Sequence, residues 1–184
     1  MHRGIITSTL FLALASLNAI EKWPRFRGNN GDGYADSNIS ASWKEHNFSW
    51  KFPLEEDGHG SPSVWNNKVF LNASTDKGRT RKIICVNAVT GKEEWIQSYP
   101  SQTHKTHRFN SFASSTPALD ASHVYSVWGH ATQLMVTAHN HDGKLIWEKD
   151  LGGVKGGHGF AVSPIVFEDL LIVPKKQKKG GGAH

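Results

Sequence analysis

Three of the eleven histidines, His59, His107 and His158, share a context: each lies in a polar loop a few residues ahead of an apolar, strand-like run. Imidazoles held on loops can ligate a metal, move a proton or hydrogen-bond a ligand. With the amide of Asn110 and the hydroxyl of Ser111 they form a candidate ligand set, provided the fold brings the three loops together. Other chemistry is less supported. His104 and His107 stand three apart in "THKTHR", but a loop fixes no ligand geometry, so no metal pair is assigned. "GNNGDG" resembles a calcium loop, yet aligning it on Asp32-Gly33 puts Gly28 at the first ligand position and Ile39 at the twelfth, where carboxylates are required. It reads as a turn. Cys85, the single cysteine, sits in the apolar run "KIICVN" and reads as a buried, inert thiol. No nucleophile elbow, phosphate loop or paired-cysteine motif is present, so no catalytic residue and no metal site are assigned.

What must position these loops is a series of short strands. "FSWKFPL" reads as one. "SPSVWNN", "KVFLNAS", "TRKIICVN" and "KEEWIQS" read as four more, divided by Asn66-Asn67, Asp76-Lys77-Gly78 and Thr90-Gly91. "SSTPALD", "HVYSVWG", "TQLMVTA" and "KLIWEKD" repeat the set, and "VSPIVFE" and "DLLIVP" open a third. No helical period is found beyond the first residues.

The sets are in register. Ser61-Pro62, Thr116-Pro117 and Ser163-Pro164 start the first strand of each, and Trp50, Trp95 and Trp147 fall in its last. Four strands recurring about every 50 residues specify an all-β, partial β-propeller of antiparallel blades. Runs such as "KIICV" and "QLMV", apolar on both faces, suit blades covered on either side. Gly91 and Gly143 offer the positive φ of a tight turn. The Trp four residues on is then expected to lie across the seam to the adjacent blade. In this arrangement the first strands line a central channel, and His59, His107, Asn110, Ser111 and His158 converge at one mouth.

"CVNAVTGKEEW" resembles the tryptophan-docking motif of the pyrroloquinoline-quinone (PQQ) type propeller repeat, Ala-x-Asp-x-x-Thr-Gly-x-x-x-Trp. Cys85 and Asn87 replace Ala and Asp, whereas Thr90, Gly91 and Trp95 match. "AHNHDGKLIW" is a variant one residue shorter, with Ala138, Asn140, Gly143 and Trp147 in place. "WPRFRGNNGDG", "NSFASSTPALD" and "HGFAVSPIV" are similar to phrases of exported bacterial propellers of this class, and the resemblance spans roughly residues 22–173. The class includes quinone-dependent alcohol dehydrogenases, an outer-membrane assembly scaffold and many exported proteins of no assigned activity. The resemblance therefore implies a fold and leaves the activity open.

Two departures from the class bear on function. The strands amount to a first strand, two complete blades and an incomplete third, fewer than the 4–8 blades of a closed ring. This implies an N-terminal fragment whose remaining blades belong to a longer parent. Quinoprotein enzymes also carry an adjacent cysteine pair and a Glu/Asn/Asp calcium set, and a chain with Cys85 alone cannot form the pair. The expected function is a non-catalytic exported scaffold that binds a protein, glycan or small molecule, with no cofactor assured. The alternative is the N-terminal part of a PQQ- and calcium-dependent alcohol dehydrogenase.

Charge and the first residues bound the partners. Net charge is +5, but Lys175, Lys176, Lys178 and Lys179 leave residues 20–174 neutral, which argues against a nucleic-acid-binding face. Met1-His2-Arg3 followed by an uncharged run to Leu17 reads as a signal peptide cleaved after Ala19, leaving no membrane span and a periplasmic or extracellular protein. The expected organisation is a signal peptide over 1–19, a loop segment over 20–42, the incomplete propeller over 43–174 and an unstructured basic tail over 175–184.

Overall fold

The computed structural model describes residues 22–36, 40–55, 57–154 and 158–175. The expected signal peptide, and all of the basic tail except Lys175, lie outside the described residues. Among the described residues ten strands form two four-stranded antiparallel sheets and a hairpin. The first sheet is β1 (Ser63–Trp65), β2 (Lys68–Thr75), β3 (Thr80–Asn87) and β4 (Glu93–Pro100). The second is β5 (Ala118–Leu119), β6 (His123–His130), β7 (Gln133–Asn140) and β8 (Leu145–Asp150). β9 (Ile165–Phe167) and β10 (Leu170–Ile172) pair alone. Strand order within each sheet follows the chain, as in a propeller blade.

Local chemistry accounts for the turns. Asn66 and Asn67 both take positive φ, 45° and 60°, giving the doubly left-handed turn that suits a two-residue hairpin. Gly78 has φ 81°, and a Cβ there would come within 2.3 Å of the Phe112 ring, so glycine is required by conformation and by space alike. Both long ladders slip at the same place, between Cys85 and Val86 in one and between Ala138 and His139 in the other. The slip sets Trp95 opposite Cys85 and Trp147 opposite Ala138, each indole facing a small, fully buried neighbour.

Blades are joined face to face. Phe70, Ile83 and Cys85 of the first pack with Leu119, Val124 and Trp128 of the second. The opposite face of β3, Ile84 and Val86, packs with Trp50 and Phe52. Phe160 and Leu171 close the far side of the second blade against Val127, Leu134 and Val136. Along the inner strands the Ser/Thr-Pro positions form a bonded series. Ser61 N donates to Thr116 Oγ1 (3.0 Å) and Thr116 N donates to Ser163 Oγ (2.9 Å). The expected repeat register is thus also a hydrogen-bonding register.

The indoles act in sequence. The Trp50 ring lies where a Cβ of Gly91 would be, 2.5 Å away, and its Nε1 donates to Ala88 O at 2.8 Å. Trp95 does the same one blade on, against Gly143 (2.7 Å) and His141 O (3.0 Å). Thr90 supports the first of these turns, its N–H donating to Asn87 Oδ1 at 3.0 Å. Trp147 departs from the expected role. It is 39% exposed, its ring rests on Tyr125 of its own blade, and no following turn covers it among the described residues.

A second departure concerns "FSWKFPL", which forms no strand. A strand is defined by its ladder, and no described strand pairs with residues 48–54. Trp50 and Phe52 dock while the backbone between them stays unpaired. The described blades therefore comprise ten strands, without the expected first strand.

Candidate functional site

The N-terminal segment threads the inner side of the blades. Trp23 exchanges two backbone hydrogen bonds with Val64 of β1, at 3.0 and 2.9 Å, while Pro24 O accepts from Leu119 N of β5 at 2.7 Å. Residues 23–24 thus bridge the inner strands of both blades, and the turn that follows stands at the mouth between them. Arg25 holds that turn, donating from Nε to Gly28 O (3.2 Å) and from its terminal nitrogen to Asn29 O (2.8 Å). Gly28, at φ 78°, lies against the Trp23 ring, where a Cβ would approach to 2.7 Å.

The loops ahead of β1, β5 and β9 are stitched to one another. His59 N donates to Ala113 O and to Ser111 Oγ, both at 3.1 Å. His107 N donates to His158 O at 3.2 Å, and Asn110 Nδ2 donates to the same carbonyl at 2.6 Å. The rings of His107 and His158 meet edge to face, 5.2 Å apart. Asn110 Oδ1 accepts a hydrogen bond from Ser114 Oγ.

A cleft of about 1070 Å³ opens at this mouth. His59, His107, Asn110 and His158 line it; Ser111 does not. Ser111 is buried, its hydroxyl taken up by the backbone N–H groups of His59 and Ala113, which makes it a support for the loop. Sequence reasoning missed Arg25, Phe26, Arg27 and Phe109, which share the lining. The first three stand in "WPRFRG", and their signal was the alternation of cationic and aromatic residues within what reads as loop. No Asp or Glu lines the cleft among the described residues. Beside an apolar wall of Val162, Pro164, Ile165 and Pro174 it offers hydrogen-bond donors, cations and ring faces, which suits a ligand with both anionic and apolar parts.

The other histidines have separate duties. His139 is fully buried in the seam beneath Trp95, with its Nε2 2.5 Å from Tyr99 Oη, and burial pulls its pKa down to about 4. His141 reaches Asp120 O at 3.0 Å and packs its ring against Trp65 and Phe70. His139 lies in β7 and His141 in the turn that follows it, and the turn itself is made by Asn140, whose Oδ1 accepts from Asp142 N and Lys144 N. Cys85 is buried, and burial together with the nearby Glu94 carboxylate pushes its thiol up to about 12, so it is no nucleophile near neutral pH.

The family model for the PQQ-like repeat described as outer membrane protein assembly factor BamB matches residues 43–183. The chain belongs to this PQQ-like repeat family. Among solved structures, BamB from Moraxella catarrhalis is 20% identical with a TM-score of 0.45, covering 64% of this chain and 34% of that one. A europium-containing methanol dehydrogenase is 13% identical with a TM-score of 0.55, covering 82% of this chain and 27% of that one. The second likeness bears on the propeller fold alone. The chain spans about a third or less of the length of these structures. No curated protein matches it.

PQQ with calcium does not fit the donor set of this cleft. Calcium takes six to eight oxygen ligands with carboxylates prominent among them, and the described lining offers no carboxylate. No group of three or more His, Cys, Asp or Glu poised to hold a metal occurs among the described residues.

Proposed function

We propose that the chain forms part of an exported, non-catalytic β-propeller scaffold whose inner mouth binds an acidic protein segment. The observation that supports this reading is the composition of the cleft: Arg25, Arg27, His59, His107 and His158 around exposed aromatic rings, with no carboxylate in the described lining. The assembly-factor description of the family model favours a protein partner over a small molecule. No helix of the described residues is long and apolar enough to cross a membrane. The propeller boundaries proposed are residues 43–174, with the segment from Trp23 to Gly33 acting as an inner insert that completes the mouth.

The test is titration of the full chain with a short polyglutamate peptide, followed by calorimetry. Replacing His59, His107 and His158 with Ala is expected to weaken binding about tenfold or more, as is Arg27→Gln, and added salt weakens it further. Equal affinity of parent and variants, or equal binding of polylysine, overturns the reading. Alcohol-dependent dye reduction by the same preparation with PQQ and calcium would instead favour the dehydrogenase alternative.

A further inference from the structure

Arg81 presents a problem the seam does not solve. It lies on the β3 face that also carries Ile83 and Cys85, is 2% exposed, and none of its three guanidinium nitrogens meets a hydrogen-bond acceptor among the described residues. Phe112 covers one face of the guanidinium, 5.1 Å from ring centre to Cζ. Ring stacking attracts a cation but satisfies none of its N–H groups. A buried charge without a partner is among the costlier features of a fold, and burial holds this pKa down at about 10.

Its surroundings hold further donors. Ser101 Oγ and Trp128 Nε1 are buried and equally without partners among the described residues. Both belong to the same end of the seam. Ser101 N bonds Arg79 O, and Trp128 packs 5.2 Å from Tyr99, the residue opposite Arg81 in the ladder. His104 stands edge-on to Phe112 at 5.0 Å and 6.4 Å from His130. Burial first, and then the charge of Arg81, keep both imidazoles toward neutral. The carboxylate that acts on His130 is Asp150, already bonded by Leu134 N and Gly152 N. A cleft of about 230 Å³, lined by His104, Lys105 and His130 among others, opens beside these imidazoles; Arg81 itself does not line it.

We infer that the seam between the two blades carries a binding site for a small inorganic anion of chloride or phosphate size, held by Arg81 beside His104 and His130. Such an ion supplies the acceptor that the guanidinium lacks, and Lys105 attracts it at the surface. The adjoining cleft, about 230 Å³ against about 30 Å³ for a water, gives a halide or phosphate a way in to the two imidazoles and is too small for a peptide. The site adjoins the mouth cleft at Gly159 but uses none of the side chains proposed to bind there, and its failure would leave the proposed function untouched.

The experiment measures thermal unfolding of the full chain at constant ionic strength while chloride or phosphate replaces a bulky anion. Saturable stabilisation is expected, an approximately tenfold rise in the folded-to-unfolded ratio at ten times Kd. Arg81→Met should abolish it, since methionine fills the space without a charge to satisfy. Crystals of the unchanged chain soaked in bromide should show anomalous scattering beside Arg81. That measurement decides the matter even where the variant fails to fold. Stability indifferent to the anion, equal stabilisation in Arg81→Met, or no bromide beside Arg81 would each overturn the site; scattering confined to surface positions would mark an adventitious ion only.

Discussion

At Gly143 a single hydrogen separates a docked indole from a clash. Gly143→Ala places a methyl group about where the Trp95 ring lies and forces an unfavourable positive φ. The expected cost is about 1–3 kcal/mol in urea unfolding followed by circular dichroism. Trp95→Ala removes the ring itself and is expected to cost about 3–5 kcal/mol. Trp147→Ala should cost less than about 1 kcal/mol, because that ring is only partly covered. Equal losses at Trp95 and Trp147 would contradict the docking described here. His139 makes a pH prediction at the same scale. Its folded pKa of about 4 lies below the ordinary 6.5, so the unfolded chain binds more protons between those values. Its contribution is therefore complete above pH 6.5 and is lost as pH falls toward 4, on the order of 3 kcal/mol at most. His104 and His130, also shifted down, act in the same direction. His139→Gln should flatten the stability profile between pH 4 and 6.5, and an unchanged slope would rule out its part.

At the level of elements, the inner strands are coupled through hydroxyls at corresponding places. Thr116 accepts from Ser61 N and passes the pattern on through its own N–H to Ser163. Thr116→Val keeps the shape and removes the acceptor, leaving Ser61 N unsatisfied. A loss of about 1–3 kcal/mol is expected in the same unfolding assay, and a neutral result would show the bond to be incidental. The strands and their blade register were legible in the sequence because turn residues and Ser/Thr-Pro pairs recur at fixed places. The segment from Phe48 to Leu54 misled for a physical reason: alternating aromatics report burial of a face, and Trp50 and Phe52 are indeed packed, but no pattern reports a missing ladder partner. The convergence of His59, His107, Asn110 and His158 followed from the blade register. The place of Ser111 beneath the loop, and the insertion of Arg25 and Arg27 from a segment far away in sequence, depend on long-range hydrogen bonds that no local pattern announces.

For the whole molecule, both faces of β3 are covered, whereas every residue of β8 is exposed, Leu145, Ile146 and Trp147 among them. Phe167, Leu170 and Ile172 of the β9–β10 hairpin are exposed as well. Apolar strands of this kind invite pairing with further chain. Ile146→Lys is therefore expected to lower self-association in light scattering at a given concentration; unaltered scattering would place the association elsewhere. The account rests on blades joined by an indole from one docked on the turn of the next. Hydrogen exchange of the individual indole N–H groups, followed by nitrogen-edited NMR, tests this most directly. Trp50 and Trp95, bonded to Ala88 O and His141 O, should exchange slowly, and Trp147 rapidly. Rapid exchange at Trp95, or a protected Trp147 beside an unprotected Trp95, would contradict the blade arrangement from which the site follows.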